Sequence, residues 1–143
     1  MMLVSDPVFG EVELTGSATE LARLVAAVAE GAGFIGSMSS ATERDSEILA
    51  GVEVREAPGP GVSIHLDSRR QVLVISGDPV ARALFADNLD AMTTAMATEE
   101  GGGHRHVDHF PGHPYLVEGS MPLVVGIPGG DGPLDEQDRE EGS

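Results

Sequence analysis

Cysteine is absent from the chain, which excludes disulfide staples and thiolate metal ligands and leaves every redox compartment open. Lysine and tryptophan are absent too. The eight basic residues are all arginine, set against 24 acidic ones, for a formal charge of −16. Phosphate contacts need clustered Lys and Arg, so nucleic acid is not expected as a partner. A basic protein surface is compatible, because complementary fields speed encounter, although a lysine-free, Ala/Gly/Asp/Glu-rich composition is also what a GC-rich coding bias produces. Aromatics make up only 3%, so the core has to be built from Val, Leu, Ile, Ala and Met, with Phe9, Phe34, Phe85 and Phe110 as its large pieces. No apolar run approaches the roughly 18 residues of a membrane span. The opening Met1-Met2-Leu3-Val4-Ser5-Asp6 lacks the basic n-region of a signal peptide. Membrane partners are therefore not expected, and a cytoplasmic address follows by default.

What is present fits one domain over residues 1–127, followed by an acidic tail. Val8 to Leu14 alternate as a half-buried strand. Ser17-Ala18-Thr19-Glu20 is a capping box, behind which Leu21, Leu24, Val25 and Val28 recur at helical spacing until Gly31 stops the helix, predicting α over 18–30. Residues 32–51 show no sustained period and read as a loop. Strands follow at about 52–57, 62–67 and 71–76, separated by Pro58-Gly59-Pro60-Gly61 and a turn at Ser68-Arg69-Arg70. Their closeness in sequence predicts an antiparallel meander, with the doubly apolar 71–76 run at its centre. Asp78-Pro79 caps a second helix whose expected buried face is Leu84, Phe85, Leu89, Met92 and Met96. Gly101-Gly102-Gly103 ends it. A histidine-rich strand at about 104–110, a turn at 111–114 and a last strand from Tyr115 to Ile127 complete the pattern. The expectation is an α+β fold in two layers, a mainly antiparallel sheet of about six strands with two helices in the order β-α-β-β-β-α-β-β. Residues 128–143 have too few apolar groups to offset ordering entropy and read as disordered. No repeat at a fixed period is visible.

Four of the five histidines, and the one tyrosine, fall in His104 to Tyr115. On a strand, residues two apart share a face, so His104, His106 and Asp108 would point one way and could offer three ligands to a zinc-like ion. The string His104-x-His106-x-Asp108-His109 resembles the metallo-β-lactamase signature, but that superfamily completes its site with further His and Asp ligands far downstream. Here the 34 residues after His109 are a turn, one strand and an acidic tail with a single histidine, His113. Nor does Ser120, in Glu118-Gly119-Ser120-Met121-Pro122, sit in a nucleophile elbow. No glycine-rich stretch opens a helix to hold phosphate. An imidazole-rich face beside Arg105, Phe110 and Tyr115 would equally suit protein binding.

The ordered strings Asp-Pro-Val-Phe-Gly-Glu-Val-Glu-Leu and, later, His104-x-His106 followed by Phe110-Pro111-Gly112-His113-Pro114-Tyr115-Leu116, Gly119-Ser120 and Pro122-Leu123-Val124-Val125 resemble the immunity proteins of bacterial polymorphic-toxin systems, specifically the thirty-second numbered immunity family. The resemblance spans about residues 8–127. It implies a non-catalytic protein that binds and blocks a cognate protein toxin, and no cofactor is expected. The candidate partner-binding residues are His104, His106, His113, Tyr115 and Ser120 from the matching strings, with Asp108 added by strand alternation. A small metal- or ligand-binding protein, even a metal-dependent enzyme, using His104, His106 and Asp108 is the alternative. An acidic housekeeping domain whose histidines only shape the sheet is the third reading.

Overall fold

The computed structural model describes residues 2–6, 10–36, 47–98 and 103–127. The expected acidic tail at 128–143, the Ser/Thr-rich part of the expected loop at 37–46, the strand start at Val8 and Phe9, and Gly101-Gly102 lie outside the described residues. Within them the chain runs β1 (Met2–Asp6), β2 (Glu11–Thr15), α1 (Ala18–Glu30), β3 (Gly33–Gly36), β4 (Glu47–Ile48), β5 (Gly51–Glu56), β6 (Val62–Asp67), β7 (Val72–Gly77), α2 (Pro79–Ala97), β8 (Gly103–Val107) and β9 (Leu123–Ile127). The α+β class and both helices are as expected. The strands, however, form two sheets rather than one, in the orders β4-β1-β2-β9-β8 and β3-β5-β7-β6. One buried cluster joins the inner faces of both sheets to both helices, from Leu3, Val12 and Leu14 through Leu24 and Val28 to Phe85, Leu89 and Leu123.

Local chemistry explains both helices. At α1 the Ser17 hydroxyl accepts from the Glu20 amide at 3.1 Å and the Glu20 carboxylate accepts from the Ser17 amide at 2.9 Å, the reciprocal pair that satisfies two orphan donors. Leu21, Leu24 and Val28 turn inward. At α2 the Asp78 carboxylate accepts from the Ala81 amide at 3.2 Å and Pro79 takes the first helical position. The same carboxylate accepts from the Gly61 amide at 2.7 Å, so one side chain caps the helix and fastens the preceding connection.

The expected buried face of α2 is corrected at one position. Phe85, Leu89 and Met96 are buried, but Leu84 is 44% exposed, and the stripe continues instead through Arg82, which is 2% exposed. Hydropathy favours the leucine, whereas packing places a guanidinium in the interior. Thr93 lies on the same buried stripe, and its Oγ1 finds no hydrogen-bond partner among the described residues. Thr93→Val is expected to raise the unfolding free energy by about 1 kcal/mol, since it removes an unsatisfied buried hydroxyl at nearly constant shape. Equilibrium urea denaturation would show this, and a loss of stability would reveal a partner for the hydroxyl.

The doubly apolar β7 is an interior strand, as its sequence suggests. Leu73 and Ile75 enter the core. Val72 and Val74 are buried on the other face, where Arg70 bridges Asp67 on β6 at 2.7 Å and Glu53 on β5 at 2.8 Å. Asp67 is the register partner of Val72 and Glu53 that of Val74, so this ion chain crosses the strand over the two valines. The expected meander is wrong in one respect: β5 and β7 pair in parallel, with β7 between β5 and β6. The Pro/Gly connection makes this possible by crossing the end of β7. The Ala57 amide donates to the Gly77 carbonyl at 3.1 Å, and a Cβ on Gly77 would meet the Gly61 carbonyl oxygen at 2.8 Å.

A repeat emerges that the sequence conceals. Strand, strand, helix, strand, strand occurs twice: β1, β2, α1, β3 and β5 with the short β4 interposed, then β6, β7, α2, β8 and β9. The hairpin of each unit joins the last two strands of the other, giving β1-β2-β9-β8 and β6-β7-β5-β3, with β2–β9 and β7–β5 both parallel. From the first strand through the helix, equivalent positions keep one constant spacing: Leu3 and Ile64, Val12 and Leu73, Leu14 and Ile75, Leu24 and Phe85, Val28 and Leu89. All ten are buried. The caps correspond as Ser17 and Asp78. What is shared is the pattern of burial and capping, with little identity.

Candidate functional site

The histidine-rich segment divides into two parts with different surroundings. β8 is an edge strand, and His104 and His106 project from its exposed face with their rings 5.9 Å apart, edge to face. Arg105 and Val107 alternate to the other side, where Val107 joins the core. The strand is shorter than the expected 104–110 and stops at Val107, so Asp108, though exposed, stands beyond the regular alternation. Among the described residues no three His, Asp or Glu groups are placed to hold a metal ion.

The second part is a built loop. Phe110, Pro111, Gly112 and His113 form a turn closed by the His113 amide donating to the Phe110 carbonyl at 2.9 Å, with Gly112 at φ 83°; proline and then glycine at the two central positions suit a type II turn. The His113 imidazole then folds back. Its Nδ1 accepts from the amides of Leu116 at 3.0 Å and Tyr115 at 3.3 Å, which requires the neutral ring with its proton on Nε2. Burial, and secondarily the neighbouring His109, lower the His113 pKa from its ordinary value, in keeping with that acceptor role. Phe110 and Tyr115 flank the ring at centroid distances of 4.6 and 4.5 Å.

Tyr115 faces inward, 7% exposed, stacked on Phe85 at 5.3 Å. Its hydroxyl donates to Asn88 Oδ1 on α2 at 2.9 Å, and burial raises its pKa. The expected final strand from Tyr115 to Ile127 is corrected here: only Leu123–Ile127 is β9, while the stretch before it runs along the edge of β6. The Val62 amide donates to the Tyr115 carbonyl, Val117 to Val62 and Met121 to Ile64, at 2.7, 2.9 and 2.7 Å. Ser120 Oγ accepts from the Ile64 amide at 3.2 Å and donates to the Val62 carbonyl at 3.4 Å. These bonds give Ser120 a positioning role between the two sheets.

Of the six candidate residues, His104, His106 and Asp108 therefore present polar atoms outward, whereas Tyr115 and Ser120 hold the loop in place, and His113 is half-buried at its hinge. Between the loop and α2 lies an open cleft of about 570 Å³ that includes His106, Asp108, Phe110, His113 and Tyr115. Its other wall is α2, through Leu84, Asp87, Asn88 and Ala91. Sequence reasoning missed that wall, although Val80, Leu84, Asp87 and Ala91 recur at helical spacing.

Among the described residues no helix is long and apolar enough to cross a membrane. No curated protein and no solved structure matches the chain. Residues 72–128, the stretch from β7 through α2 and β8 to just past β9, match the model of the family described as Immunity protein 32, the same numbered family that the histidine-bearing strings resemble.

Proposed function

We propose that this chain is a non-catalytic immunity protein that binds a cognate protein toxin and neutralises it by occupancy. The observation that carries the reading is the coincidence of the family match with the cleft, since residues 72–128 contain α2, β8 and every candidate residue. The outward groups of His104, His106 and Asp108, with the rim of the cleft, form the recognition surface. His113, Tyr115 and Ser120 shape that surface from behind through the bonds described above. His113 Nδ1, the Tyr115 hydroxyl and Ser120 Oγ are committed to structure, so the arrangement suits binding better than turnover.

Growth of cells expressing a toxin found encoded beside this gene tests the proposal. Co-expression of the wild-type chain is expected to restore growth, and His104→Ala/His106→Ala to weaken that protection. Failure of the wild-type chain to protect against any neighbouring toxin would remove the proposal. Metal analysis of protein purified without a histidine tag tests the alternative of a metal site at His104, His106 and Asp108: a stoichiometric ion lost in the double variant would favour it, and no retained metal would retire it.

A further inference from the structure

We infer that the partner of this face is a basic segment with apolar side chains, seated in the groove between α2 and residues 106–117. The inference rests on the toxin-neutralising reading and deepens it by naming the chemistry recognised. The cleft beside His106 adjoins a second one of about 310 Å³, and the two share Leu84, His113, Pro114 and Tyr115, so they lie end to end along one face as a groove between α2 and the loop. Along it α2 leaves Val80 72% and Leu84 44% exposed, and Phe110 across the groove is 53% exposed. These are three of the four large exposed hydrophobics among the described residues. Apolar groups gathered along one groove are an interaction signature rather than ordinary surface scatter.

Charge selects the occupant. The lining contains Asp78, Asp87 and Asp108 and no arginine. The Asp78 carboxylate is engaged by the Gly61 and Ala81 amides, which leaves Asp87 and Asp108, both exposed, to meet an incoming cation. A second copy of this chain would carry a net charge of −16 toward those carboxylates, so its approach is disfavoured and that of a basic surface is steered. Arginine suits the groove best, because its planar guanidinium stacks on an aromatic face such as Phe110 while pairing with a carboxylate.

The test is an amide-detected NMR titration of the full chain with a capped hexapeptide of sequence Leu-Arg-Leu-Leu-Arg-Leu, and with versions carrying Gln or Glu in place of Arg. Saturable shifts centred on Leu84, Asp87, Asn88 and Tyr115 are expected. Binding should weaken by at least about tenfold with Asp87→Lys, with Leu84→Ser, or with the Gln peptide, and vanish with the Glu peptide. Both substitutions are at exposed positions, and an unchanged amide spectrum away from the groove would certify folding. Shifts scattered over the acidic surface and insensitive to Asp87→Lys would overturn the inference. So would equal binding of the Gln peptide, or concentration-dependent shifts without peptide, which would make the face a self-association site. In the growth assay, a wild-type chain that fails to protect removes the toxin reading alone. Equal protection by wild type and Asp87→Lys/Leu84→Ser removes the groove alone.

Discussion

Arg82→Leu is expected to cost about 2–5 kcal/mol of stability, because the buried Val28 carbonyl and the part-buried Ala29 carbonyl lose a charged donor, each such bond being worth about 1.5–3 kcal/mol. The guanidinium lies in the interior and spans three elements. Nε donates to the Gly77 carbonyl at the end of β7 at 2.9 Å, and NH1 to the carbonyls of Val28 and Ala29 in the last turn of α1, at 2.9 and 3.1 Å. The cation thus replaces the donors that the helix end lacks and sits at the negative pole of its dipole. Gly77 retains a second donor in Ala57, so the loss concentrates on α1. A leucine restores packing volume but no donor, which separates this case from ion pairs that apolar residues can replace together. The remaining partner, Glu56 at 3.4 Å, is 70% exposed, so Glu56→Gln should change stability by about 1 kcal/mol or less. Chemical denaturation of both variants gives the comparison. Equal, small effects would contradict the capping role. The same geometry explains Gly31, which ends α1 at φ 82° and where a Cβ would meet the Arg82 guanidinium carbon at 2.5 Å.

His113→Ala is expected to be the next largest, at about 1–3 kcal/mol, because the Tyr115 and Leu116 amides lose their acceptor. Its pH dependence is more specific than its size. The folded protein holds the His113 pKa below the ordinary 6.5, so the neutral ring is favoured by folding. That contribution is complete above about pH 6.5 and is lost as the pH falls through the lowered folded value. Protonation also converts Nδ1 from acceptor to donor and sets it against the two amides. Stability curves from pH 8 to 5 should therefore drop more steeply for wild type than for His113→Ala. His113→Asn, which keeps an acceptor without the titration, should recover part of the stability and none of the slope. Parallel curves for wild type and His113→Ala would place the acid sensitivity elsewhere.

Particular residues show where the sequence was legible. The capping box at Ser17 and Glu20, the Asp78-Pro79 start and the turn read at 111–114, which closes one residue earlier between Phe110 and His113, are local devices, so short strings announced them. The doubly apolar run of β7 announced its interior position for the same reason. The parallel neighbours of β2 and β7 were hidden, because parallel partners are distant in sequence and alternation carries no record of strand direction. β1 was missed, and β3 fell inside a stretch read as loop, because it is only four residues long and flanked by glycines. The internal repeat escaped because its halves share only the spacing of burial, and one buried position pairs Leu21 with Arg82. That same substitution misplaced the α2 stripe onto Leu84, and with it hid the apolar wall of the groove. His104 and His106 were correctly located on a strand, but alternation alone could not show that the strand would end before Asp108 and His109.

A stoichiometric titration tests the central claim most directly: purified chain added in steps to its cognate toxin, with residual toxin activity measured at each step. Occupancy predicts a linear loss of activity that ends at one chain per toxin, with a one-to-one complex recovered by size-exclusion chromatography. Complete inactivation by far fewer chains than toxin molecules, with no complex recovered, would mean that the protein acts by turnover and would contradict the account.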